Sequence, residues 1–184
     1  MAKKLLTLGL LVLGLCWLDA CCSDKRPYFN YKTLAISSSL LYLTASADTV
    51  LALKVAPDEL EYLASAPSCL IPAAYGGNCP QPGEDGPKFN MTQIDILADK
   101  DFNDTLPAGQ SLSALFFNGR ATSTSSLPVP QIVSELEFPG PGFDFVVYTP
   151  FKPKNPDQTF ALTIRITKSD GSVAAGKVEG VKFK

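Results

Sequence analysis

Apolar and polar positions alternate with a period of two through much of the chain, most cleanly from Thr159 to Thr167. There Phe160, Leu162, Ile164 and Ile166 fall on one side, and Thr163, Arg165 and Thr167 on the other, as in a strand with one buried face. Ser169-Asp170-Gly171-Ser172 then predicts a hairpin turn, and Val173 with Val178 to Phe183 closes the sheet. Earlier, Tyr31 to Ser38 predicts a first strand, interrupted by Ser37-Ser38-Ser39, and Thr49 to Val55 predicts a second. Pro57 to Ala64 fits one or two helical turns, with proline at the start and acids in the first turn; a continuing strand competes. Phe89 to Leu97 predicts a strand with Ile94 and Ile96 inward, and Phe143 to Tyr148 predicts another. Leu112, Leu115, Phe116 and Phe117 recur near helical spacing and predict a short turn plugging one end of the fold. Leu127 to Phe138 is ambiguous: Pro128 and Pro130 break it, while Ile132, Val133 and Leu136 could line a helical stripe. Seven or so short strands with frequent turn signals point to an all-β fold, an immunoglobulin-like β-sandwich with short helical turns. The Cys…Trp…Cys signature of antibody-type domains is missing.

The first 22 residues follow another pattern. Lys3 and Lys4 precede an apolar run from Leu5 to Leu18, then Asp19-Ala20-Cys21. A basic tip, an apolar segment short for a membrane span and a small residue before the cut read as an export signal helix. Leu18-Asp19-Ala20-Cys21 resembles the lipobox of bacterial lipoproteins, with Asp19 departing from the usual small or β-branched residue. The resemblance implies cleavage before Cys21 and a diacylglyceryl group on its thiol. Plain secretion and an uncleaved anchor are the alternatives. The expected organisation is a lipoprotein signal peptide over 1–20, a tether over 21–30 and a β-sandwich domain over 31–184.

Composition narrows the chemistry. The chain has 184 residues, enough for one domain with its own core, and a net charge of −2 that gives no steering toward nucleic acid. Histidine is absent, which removes Ser-His-Asp and Cys-His catalysis and the common zinc sites. The single tryptophan, Trp17, lies in the leader. No nucleophile elbow, phosphate loop or dinucleotide fingerprint is found, and no cofactor is expected. In an exported protein, Cys69 and Cys79 bracketing a Pro/Gly loop predict a disulfide.

Asp99, Asp101 and Asn103 mimic the first three ligands of a calcium loop. Asp104 stands where glycine should turn the chain, and Gln110 where a bidentate glutamate should be, so a solvated turn is the default. Asp104-Thr105-Leu106 and Asp48-Thr49-Val50 resemble the Asp-Thr-apolar signal for O-glycosylation in Bacteroidota, with Thr105 the better candidate and Thr49 the second. Glu59/Glu61 and Glu135/Glu137 are the carboxylate pairs.

The run Ile94-Asp95-Ile96 to Asp101-Phe102-Asn103, then Pro107-Ala108-Gly109, Leu112 to Phe116 and Thr159 to Gly171, together with Cys21 and Cys69, resembles small uncharacterised lipoproteins of Bacteroidota. That resemblance implies an exported, lipid-anchored β domain and implies no activity; the expected location is the bacterial cell envelope, at the outer membrane. The expectation is a non-enzymatic protein-binding or scaffolding lipoprotein. A glycan-binding accessory lipoprotein using Tyr62, Tyr75 and Tyr148, and a carboxylate-based hydrolase, are the alternatives.

Overall fold

The structure is a computed structural model, and it describes residues 26–42, 49–64, 81–118 and 127–183. The chain is all-β. Its strands are β1 (Tyr28–Tyr42), β2 (Thr49–Leu63), β3 (Met91–Ala98), β4 (Phe117–Asn118), β5 (Phe145–Thr149), β6 (Thr159–Lys168) and β7 (Val173–Lys182). They join in one seven-stranded sheet of order β3-β6-β7-β1-β2-β5-β4. Every neighbouring pair is antiparallel except β7–β1, which is parallel and meets at Thr33 and Ala175.

The period-two reading of β6 is reproduced: Phe160, Leu162, Ile164 and Ile166 are all buried. Elsewhere the strands are longer than expected. Ser37, Ser38 and Ser39 do not interrupt β1; they pair with Lys54, Leu53 and Ala52 of β2, because the backbone ladder needs no apolar side chain to continue. Pro57 to Leu63 continues β2 and is not helical. Pro57 lies past the end of the β2–β5 pairing at Val55, where a missing N–H costs no ladder bond on that side. Val173 to Lys182 forms one strand where two pieces were expected. The ambiguous 127–138 stretch holds two 3-10 turns, Val129–Gln131 and Val133–Glu135, and no helix: the prolines leave no room for an α-helical ladder.

A kink divides the β1–β2 hairpin. On one face of β2, Leu51, Leu53, Val55 and Pro57 are buried, with Val50 and Ala52 buried on the other; beyond Glu59 the inward residues are Leu60 and Tyr62. β1 changes parity in step, from Leu34 back to Tyr31 and Phe29. Glu59, with φ of 48°, is the left-handed residue at the switch. The hairpin thereby keeps an apolar face inward while the sheet curls around the core.

One core cluster unites both wings of the sheet with the 99–144 connection, through Phe102, Leu112, Phe116, Val129, Ile132, Leu136 and Phe138. Aromatic pairs lock it: Phe138 meets Tyr31 edge-on at 5.3 Å and stacks on Phe145 at 5.2 Å, and Phe183 meets Phe160 edge-on at 5.3 Å. The connection also covers the open edge of β3. The buried Ser113 hydroxyl accepts from Ile96 N–H (3.0 Å) and donates to Ile94 carbonyl (2.7 Å), standing in for a neighbouring strand. Among the described residues no helix is long and apolar enough to cross a membrane.

Candidate functional site

The end of β3 and the start of β6 bring two loops together. One is the acidic turn after Ala98; the other precedes Thr159. Between them lies an open groove of about 730 Å³, lined by carboxylates of Asp99, Asp101 and Asp104, amines of Lys100 and Lys154, and amides of Asn103, Asn155 and Gln158.

The wall is fixed by its own hydrogen bonds. Asp99 Oδ1 accepts from Ala161 N–H (2.8 Å), tying the turn to β6. Asp101 Oδ1 accepts from Ala108 N–H (2.8 Å) and closes the loop across seven residues. Asn103 Oδ1 accepts from the N–H groups of Thr105 and Leu106 and from the Thr105 hydroxyl, all within 2.8–2.9 Å. This is how Asx side chains replace a backbone turn. Lys154 joins the two loops twice, by its N–H to Phe102 carbonyl (2.9 Å) and its ammonium to Asp104 (2.6 Å). Lys100 Nζ donates to Thr159 carbonyl at 2.6 Å.

The calcium candidates Asp99, Asp101 and Asn103 thus share one loop, each with an oxygen taken up by backbone N–H groups. No group of three or more His, Cys, Asp or Glu side chains is arranged to hold a metal ion among the described residues. Thr105 is exposed on this loop with its hydroxyl donating to Asn103. Thr49 opens β2 opposite Tyr42, well away along the chain. Cys21, Cys69, Cys79 and Tyr75 lie outside the described residues. Of the other tyrosines named for sugar stacking, Tyr148 is buried against Phe117 at 6.0 Å, and Tyr62 is half-buried beside Gly83. Among the described residues no aromatic ring lines the groove. The carboxylate pairs separate, Glu59/Glu61 to β2 and Glu135/Glu137 to the crossing connection.

The sequence reading missed a second polar centre. Lys168, the last residue of β6, is only 3% exposed. Its Nζ donates to Asn30 Oδ1 (2.6 Å) and Tyr31 carbonyl (2.7 Å) and sits 4.6 Å from the centre of the Tyr31 ring. Burial holds this ammonium below the ordinary lysine range, against an opposing pull from Asp170. Burial, reinforced by the charge of Glu137, pushes the Tyr31 phenol well above its ordinary range. A lysine at a strand end looks like a solvated terminus in sequence, and Asn30 is far upstream, so no local signal links them.

No family model, curated protein or solved structure matches the chain.

Proposed function

We propose that this chain is a lipid-anchored lipoprotein of the bacterial cell envelope, at the outer membrane, of the kind found in Bacteroidota. Its β domain is a non-enzymatic module that binds or scaffolds another protein. In this reading the 1–20 leader helix is removed, Cys21 carries the lipid and Cys69–Cys79 is a disulfide. The two wings of the curled sheet, β3-β6-β7 and β1-β2-β5-β4, form an immunoglobulin-like sandwich over the shared core.

The observation that carries the binding role is the groove. Its carboxylates, amines and amides stand on loops braced by the Asp101–Ala108, Asn103–Thr105 and Lys154–Asp104 contacts. Preorganised polar groups lose little freedom on binding and so favour recognition. The mixed charge suits a polar protein surface, and the described lining residues give a sugar no ring to stack on.

The test is mild crosslinking in intact cells, comparing the wild type with an Asn155→Ala/Gln158→Ala variant. A reproducible protein partner lost in the variant is expected. An unchanged crosslinking profile, or no reproducible partner with the wild type, would contradict the proposal.

A further inference from the structure

We propose that Asn30 and Lys168 are the two halves of an intramolecular isopeptide bond that the folded protein makes for itself. The bond would fasten the first strand to the end of β6 across 138 residues of chain. The pair has the parts this reaction requires. The nucleophile and the amide already touch, with Nζ 2.6 Å from Asn30 Oδ1, so folding replaces a bimolecular encounter by a fixed one. The amide carbonyl is activated: Tyr31 N–H donates to the same Oδ1 at 3.0 Å, where negative charge grows as the carbonyl is attacked. The amine is buried, and removal from water favours its neutral, nucleophilic form against the pull of the Tyr31 ring and carbonyl toward the ammonium.

The reaction balances with no co-reactant. Nζ sheds one proton to attack Asn30 Cγ and a second once the new C–N bond has formed, and the resulting oxyanion is held by Tyr31 N–H. The Cγ–Nδ2 bond then breaks, and the departing nitrogen takes up the two protons released by Nζ to leave as ammonium. An alkylammonium and a primary amide become a secondary amide and an ammonium ion. Nothing in this inference depends on the lipid anchor or on the groove.

Peptide mapping of the purified, denatured full chain after trypsin digestion tests it without any variant. The expected product is a branched peptide holding both Asn30 and Lys168, about 17 Da lighter than its two linear parts, with no cleavage after Lys168. A Lys168→Arg variant should give only linear peptides and migrate more slowly on a denaturing gel. Linear wild-type peptides, with trypsin cutting after Lys168, would overturn the proposal and leave the pair as a hydrogen-bonded strut.

Discussion

Tyr31 is a large aromatic side chain wholly inside the core whose hydroxyl has no hydrogen-bond partner among the described residues. A buried polar atom left unpaired is a liability, so Tyr31→Phe is expected to be neutral or to stabilise by up to about 1 kcal/mol at pH 7 in urea unfolding. The ionisation of Tyr31 is pushed upward in the fold. Its contribution is therefore fully present below the unfolded phenol value of about pH 10 and is lost as pH rises toward the folded one. Tyr31→Phe should accordingly lose less stability than the wild type above about pH 10. Ser113 is the opposite case, a buried hydroxyl paired with Ile96 N–H, Ile94 carbonyl and the Ser111 hydroxyl. Ser113→Ala leaves Ile96 N–H and Ile94 carbonyl without that partner and should cost about 1–3 kcal/mol in the same measurement. Neither role was legible in the sequence: a tyrosine reads as core whether or not its hydroxyl is paired, and Ser113 reads as one more turn serine.

At the scale of elements, the kink in the β1–β2 hairpin rests on Glu59. A residue other than glycine at positive φ carries a strain of about 1–2 kcal/mol, so Glu59→Gly should be neutral or mildly stabilising while Glu59→Val should be clearly destabilising by thermal melting. The parallel β7–β1 junction rests on Gly176. A Cβ there would collide with the backbone carbonyl of Leu34 and lie within 2.9 Å of its Cβ. Gly176→Ala is expected to cost about 1–3 kcal/mol and to loosen the joint between the two wings, seen as faster amide exchange around Thr33 and Ala175. The elements that sequence made visible are those with one exposed and one buried face, β3 and β6 above all. β2 was only half legible: near Val50 to Leu53 both faces are buried, and beyond Pro57 the parity switches, so simple alternation fails twice. β4, with two residues, exists only through its pairing with β5 and has no pattern of its own.

For the molecule as a whole, composition and turn signals were enough for the all-β class, because they depend on local chemistry. The order β3-β6-β7-β1-β2-β5-β4 was not, since it is set by which distant faces share a core. The groove was partly legible. Its acidic loop stood out, but Lys154, Asn155 and Gln158 reach it from the loop before β6 through tertiary packing alone. The proposed role requires this β domain to be held at the envelope by lipid on Cys21. Mass spectrometry of the N-terminal peptide of protein extracted from the membrane fraction tests it most directly. The expected product is a mature chain starting at an acylated Cys21. A chain recovered without lipid and with Met1 to Ala20 still attached would contradict it.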